Sequence, residues 1–390
     1  MTSSAPEGVR RVVGITGTRA DFGKMRDVFL ALQDAPGIDF SLMVTGMHLL
    51  RRYGYTLREI ERSGLRQLHH VPNQVEDEPM ALVLANSLNS VARLLLSESA
   101  DMVLVHGDRV EALAGALAGS LTNTRVAHVE GGEVSGTIDD AIRHSLTKHA
   151  HVHFLANERA RQRVLQLGEE AERLFVVGSP EVDSLVAAID SDLAPVRHHY
   201  GTPEPPYGVL VMHPVTTEPH ANRAHAEAVV DAVLAAGGSW VVIDPNNDEG
   251  THDVRAALER LDGRPGVLRL PSMRFSAYLT LMRHADVVLG NSSSGVREAP
   301  VLGTWSIDVG SRQTNRSPAT SVLTVPPVRE ELLAAIQRVR QLGPAGPQEH
   351  FGSAGAAQRI ADTLRTEAVW DLPLQKRFVD RPVAFAGASV

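Results

Sequence analysis

The 48 residues from His106 to His153 place six histidines (106, 128, 144, 149, 151 and 153) among acidic side chains and around two apolar runs. Asp108 follows the run DMVLVHG (101–107), and Glu130 follows RVAHV (125–129). Carboxylates accept protons and imidazoles exchange them near neutral pH, so their convergence suits general acid–base chemistry. Each run is short, rich in valine and bounded by glycine, as buried parallel strands are. Such strands end together at one sheet edge, and ligands bind outside that carboxyl edge. Two carboxylates and two histidines are therefore expected in one crevice.

Two further segments suit anion binding. GITGTRADFGK (14–24) joins a first strand to its helix, with glycines for a tight turn and Arg19 and Lys24 as cations. It is not GxGxxG, and no acidic residue closes the second strand, so a nicotinamide site is unsupported. NSSSGVRE (291–298) repeats the device with three serines and a glycine opening a helix. Glu298 follows where a carboxylate can accept both hydroxyls of a ribose. A plain strand–helix turn and an ordinary serine cap are the alternative readings of these two segments.

HPVTTEPH (213–220) puts His213 at the end of a strand, where it can reach a phosphate, protonate a leaving oxygen, or simply sit half-buried. KHAHVHF (148–154) carries histidines on one face of a strand, a pattern open to zinc or to a row of structural hydrogen bonds.

The elements that must position these groups alternate. Strands are expected at 11–15, 39–46, 101–107, 125–129, 151–155 and 174–177, with helices at 21–34, 77–98, 110–121, 137–148 and 157–167. After a stretch with four prolines (191–208) the pattern restarts, with strands at 207–214, 239–246, 266–270, 286–290 and 304–310 and helices at 221–236, 275–284 and 328–342. The expected class is α/β, with two Rossmann-like domains facing a cleft. Their expected bounds are 1–190 for the unit with the carboxylates, 191–208 for a linker, 209–365 for a nucleotide-binding unit, and 366–390 for a tail.

A chain of 390 residues is long enough for two cores. Its net charge of −8 argues against a nucleic-acid binder, which needs a basic face. With no cysteine it has no disulfide and no thiolate metal site. The opening MTSSAPEGVRR lacks an apolar core, so a cytoplasmic protein without a membrane partner is expected.

With these residues assembled, the chain from about 11 to 365 resembles the hydrolysing UDP-N-acetylglucosamine 2-epimerases of sialic-acid synthesis. The resemblance lies in TRADFGK (18–24), VHGDR (105–109), HVEGGEVSGTIDDAIRH (128–144), HPVTT (213–217), GNSSSGVRE (290–298) and VGSRQTNR (309–316). It implies a GT-B-like fold and conversion of UDP-GlcNAc and water into ManNAc and UDP. It implies Asp108, Glu130 and Asp139 as catalytic carboxylates and His213 as the diphosphate contact in the same machinery. Ser292, Ser293 and Gly295 would hold phosphate, and Glu298 the ribose. Arg19, Asp21, Lys24, Arg109, Asn246 and Arg312 fall on matching substrate-site positions. His106, His128, His151 and His153 also match the family pattern, and His149 is extra.

The resemblance further implies a homodimer or homotetramer that uses no metal, nicotinamide or other cofactor. Trp305 and Ser306 stand where the family usually shows Pro-Val, next to the expected nucleotide. Related hydrolysing enzymes act on GDP- or UDP-linked diacetamido sugars, and a non-hydrolysing branch releases UDP-ManNAc. A GT-B glycosyltransferase and a non-catalytic nucleotide-sugar sensor are the more distant alternatives.

Overall fold

A computed structural model describes residues 8–135, 138–189, 191–314, 317–348 and 354–380. Gly136 and Thr137 in one sequence motif, Asn315 and Arg316 in another, and the end of the tail from 381 lie outside the described residues.

The first sheet contains β1 (Arg10–Thr16), β2 (Ile38–Val44), β3 (Leu68–His70), β4 (Met102–His106), β5 (Arg125–Val129), β6 (Val152–Leu155) and β7 (Leu174–Val176). Their order is β3-β2-β1-β4-β5-β6-β7, and every pairing is parallel. The second sheet contains β8 (Tyr207–Val211), β9 (Ser239–Ile243), β10 (Val267–Leu270), β11 (Val287–Gly290), β12 (Trp305–Val309) and β13 (Val322–Val325). It runs β10-β9-β8-β11-β12-β13, again parallel throughout. These are the two doubly wound α/β units that the alternation predicts. β3 and β13, short and half-exposed, have no counterpart among the expected strands.

Both faces of each sheet are covered. Side chains alternate along a strand, so Val12 and Val13 enter opposite cores, one with Phe29 and Leu104, the other with Val91 and Val103. Strand order reverses between β1 and β4 in one unit and between β8 and β11 in the other. Adjacent connections leave in opposite directions there, which opens a crevice at each carboxyl edge.

The division between units differs from the expected bounds. Val182 and Leu185 of helix Pro180–Ile189 already pack with Val209 and Val288 of the second unit. The stretch 191–208 is not only linker, because it holds helix Leu193–Tyr200, whose Leu193, Val196 and Tyr200 share a face against the same core. The chain then returns. Ile360, Ala361 and Leu364 of helix Ala356–Leu364, with Val369 and Trp370, join the core of the first unit.

One helix among the described residues, Met80–Ser97, is long and apolar enough for a membrane span by length and composition alone. It packs against helix Val110–Leu121, with Val83, Ser87, Val91 and Leu95 inward.

Helix Arg19–Gln33 brings the two units together. Its Thr18 cap accepts from the Asp21 N–H (3.2 Å), and Phe22, Met25, Val28, Phe29 and Leu32 fill its inner face. Gly23 interrupts it at a cost of about 1 kcal/mol relative to alanine. A Cβ there would lie 2.1 Å from Phe275 Cβ, so only glycine admits this close approach to the second unit.

Candidate active site

A cavity of about 270 Å³ separates the two carboxyl edges. Asp108, Glu130, Asp139, Arg19, Asp21, Lys24 and Arg109 line it from the first unit. His213, Asn246, Ser292, Ser293, Glu298 and Arg312 line it from the second. Residues scattered over almost 300 positions thus meet because each follows a strand at its carboxyl end.

Glu130 sits where β5 ends, with φ of 65°. Side-chain-bearing residues seldom occupy this left-handed region, and such strain collects at functional sites. One carboxylate oxygen accepts from the Ser179 hydroxyl. The other lies 3.0 Å from Arg297 Nη2 and 3.4 Å from His106 Nε2. Burial opposes its ionisation most strongly, but Arg297, His106 and Lys24 together outweigh burial and hold the carboxyl well below its ordinary range.

His106 is held from both sides, with Nδ1 2.7 Å from Asp21 Oδ1. Burial alone would depress the imidazole, yet the hydrogen bonds to Asp21 and Glu130 raise it to about 9. It is therefore an imidazolium at neutral pH, a cation lodged between two carboxylates. Asp21 also accepts from Thr16 Oγ1 (2.6 Å), and burial is outweighed by His106 so that its carboxyl stays below the usual value. Asp21 thus acts on the histidine, whatever contact it has with a ligand.

The other expected carboxylates are also paired. Asp108 contacts Arg143, a buried side chain that also reaches Asp140 Oδ1 at 3.3 Å. Asp139 opens the first turn of helix Ile138–His149 and lies 3.5 Å from Arg312 Nη2. Arg312 also donates to the Asn291 carbonyl at 3.2 Å.

On the facing wall, Asn291 fastens the loop after β8 to that after β11. Its side chain accepts from the His213 N–H (2.7 Å) and donates to the His213 carbonyl (2.8 Å). His213 Nδ1 accepts from the Asn246 N–H at 3.2 Å, which leaves the ring proton on Nε2. Burial, then Arg312 and Arg109, push this imidazole down to about 3. His213 is a neutral donor rather than a proton source of ordinary histidine strength.

Ser292 caps helix Ser293–Val296, accepting from the Ser294 N–H at 3.4 Å. Ser294, which also lines the cavity, lies 2.6 Å from the Tyr278 hydroxyl. Gly295, expected at the phosphate, is not among the residues that line the cavity. Its N–H donates to the Ser292 carbonyl (3.1 Å), and a Cβ would meet Ser306 Oγ at 2.6 Å, so this glycine serves packing. Ser306 thus lies behind the wall, and Trp305 donates to the Gly343 carbonyl at 2.7 Å. Neither residue that departs from the family spelling lines the cavity.

The expected phosphate cations are already engaged. Arg19 pairs with Glu59 (2.9 Å) and donates to Ser272 (2.7 Å), and Arg109 lies 3.3 Å from Asp248. Lys24 Nζ bridges Glu181 (3.1 Å) and Glu298 (3.0 Å). Burial opposes its charge, but Glu181 and Glu298 raise it above the ordinary value.

Sequence reasoning missed Ser179, Glu181 and Arg297. Arg297 lies inside the quoted GNSSSGVRE segment, but an arginine there reads as a surface charge until the first unit is placed opposite. GSPEVD (178–183) escapes a local reading because it falls where the chain crosses between the units.

Four other histidines of the 106–153 stretch, His128, His149, His151 and His153, face elsewhere. His151 donates from Nε2 to the Leu374 carbonyl (3.0 Å) and accepts the Val126 N–H at Nδ1 (3.0 Å). His153 lies 3.4 Å from Glu169, which Lys376 of the tail also reaches at 2.6 Å. His128 is directed to the Gly107 carbonyl (2.8 Å) and His149 to Ser120 (3.2 Å). The row anchors strands and tail. Among the described residues, no three His, Cys, Asp or Glu side chains are grouped to hold a metal ion.

Comparison with known proteins gives a consistent pattern. The family described as UDP-N-acetylglucosamine 2-epimerase matches residues 30–365. The UDP-N-acetylglucosamine 2-epimerase of Neisseria meningitidis serogroup B is 39% identical, over 95% of this chain and 99% of that one. The UDP-N,N'-diacetylbacillosamine 2-epimerase (hydrolyzing) of Legionella pneumophila is 31% identical, over 97% and 100%. In fold, the chain is similar to Methanocaldococcus jannaschii UDP-GlcNAc 2-epimerase, solved in complex with UDP-GlcNAc and UDP. The TM-score is 0.76 at 19% identity, over 91% of this chain and 99% of that one.

Proposed function

The chain belongs to the UDP-N-acetylglucosamine 2-epimerase family, and we propose that it is a hydrolysing member, turning UDP-GlcNAc and water into ManNAc and UDP. The observation that carries this reading is the position of Glu130. It faces the same cavity as Asp108 and Asp139, opposite His213, Ser292, Ser293 and Glu298.

The C2 hydrogen of the sugar becomes acidic only as the C1–O bond stretches and positive charge grows at C1. Departure of the diphosphate is therefore the event to stabilise, and preorganised donors contribute several kcal/mol to such steps. His213 Nε2–H, the nearby Arg312 and Arg109, and the Ser292 and Ser293 hydroxyls supply them. A carboxylate among Glu130, Asp108 and Asp139 takes the C2 proton while UDP leaves with the C1–O electron pair, giving a 2-acetamidoglucal. Water then adds at C1, and a second acid protonates C2 from the opposite face, giving the mannose configuration. Glu298 accepts the ribose hydroxyls.

Two features support hydrolysis over return of UDP-ManNAc. The segment VEGGEVSGTIDD resembles the hydrolysing branch, and the Legionella relative is named as hydrolyzing. That relative also favours one alternative, a UDP-linked diacetamido sugar as substrate. Incubation with UDP-GlcNAc in deuterated water tests the proposal. Free UDP and ManNAc deuterated at C2 are expected. UDP-ManNAc would identify the non-hydrolysing reaction, and absence of deuterium would exclude proton exchange at C2. Turnover of a UDP-diacetamido sugar but not UDP-GlcNAc would select the alternative substrate.

A further inference from the structure

Glu181 opens helix Pro180–Ile189, where the chain passes from the first unit to the second. Its side chain is 2% exposed. Oε2 lies 2.9 Å from Arg297 Nη2, which reaches Glu130 at 3.0 Å, and 3.1 Å from Lys24 Nζ, which reaches Glu298 at 3.0 Å. A buried chain of charges therefore runs Glu130–Arg297–Glu181–Lys24–Glu298, with Glu181 in the middle.

The charges do not balance. His106, Arg297 and Lys24 face Asp21, Glu130, Glu181 and Glu298, and Glu133 approaches Arg297 as well. Excess buried anion is costly, so the cluster favours keeping a carboxyl proton. The place for it is between Glu181 and Glu298, whose carboxyl groups share the Lys24 ammonium at 3.1 and 3.0 Å. Glu298 Oε2 is buried without a hydrogen-bond donor, and its residue lines the cavity.

We propose that Glu181 is a positioning residue that holds Arg297 on Glu130 and Lys24 beside Glu298, and that it shares with Glu298 one proton which the ribose of an incoming nucleotide displaces. The ribose role of Glu298 comes from the function proposed above. A fully ionised Glu298 accepts two hydroxyls, so the proton passes to solvent when nucleotide binds. Burial and then Glu181 raise the Glu298 carboxyl to about 8, which agrees with the shared proton.

The test is calorimetry of UDP binding at pH 7 in buffers of different ionisation enthalpy, alongside steady-state kinetics. The wild type should release about one proton per UDP bound. In Glu181→Gln, Glu298 loses its like-charged neighbour and is already ionised, so proton release should nearly vanish. Arg297 then turns wholly to Glu130 and makes it a weaker base, so kcat should fall about tenfold with KM changed less. Glu181→Asp should keep the proton release and a lowered kcat, and it answers the question should the glutamine variant fail to fold. Wild-type kcat in Glu181→Asp, or wild-type kcat and proton release in folded Glu181→Gln, overturns the inference. If Glu298→Gln instead binds UDP as tightly as wild type, the ribose assignment fails, a separate outcome.

Discussion

Arg297 Nη2 stands 3.0 Å from Glu130 Oε2, joining a guanidinium of the second unit to the strained carboxylate of the first. The candidate base is thus set by both units at once. A site made this way is complete only when the cleft is closed to this degree.

Arg297→Met should destabilise the protein by about 3–5 kcal/mol, because it leaves Glu130 and Glu181 buried without their guanidinium. The melting temperature should fall and activity with it. A melting temperature equal to wild type would show that the pair contributes nothing to folding.

Asp108→Asn, Glu130→Gln and Asp139→Asn should each lower turnover by roughly 10²–10⁴-fold, the range expected of general acid–base groups. UDP should still bind, since none of the three is proposed to hold the nucleotide. Kinetics with UDP titration would check this, and near-wild-type turnover in any variant removes that residue from the chemistry.

His106 gives a stability profile of definite sign. Its imidazolium is raised from 6.5 to about 9, so the native protein binds the extra proton between these values. The stabilisation is complete below the unfolded value and is lost as pH rises through about 9. Thermal melts should therefore show stability declining from pH 7 towards pH 10, and His106→Asn should flatten that decline. Glu130, depressed by its partners, acts oppositely and weakens the protein on acidification.

Gly23→Ala should push the units apart, because the new methyl group would lie 2.1 Å from Phe275 Cβ. Overpacking of this kind costs about 1–3 kcal/mol. Helix Arg19–Gln33 carries Lys24, so the Lys24–Glu298 contact should lengthen and KM should rise. Small-angle scattering with kinetics would read both effects, and an unchanged KM would mean that this contact does not set the closure.

The sequence by itself determined the two-unit α/β class and most of the elements, because parallel strands buried on both faces leave continuous valine-rich runs between helical periods. It also brought candidate site residues to one edge. Asp108, Glu130, His213 and Ser292 each follow a strand, and strand ends in such sheets converge. The tertiary structure alone decided their pairing. That Lys24 and Arg19 are engaged by Glu181 and Glu59, that His213 is neutral while His106 is charged, and that Arg297 crosses the cleft all depend on burial and on distances between residues far apart in the chain. Local spacing carries no information about such contacts. The return of residues 356–370 to the first core was hidden for the same reason, since an apolar helix face does not say which unit it covers.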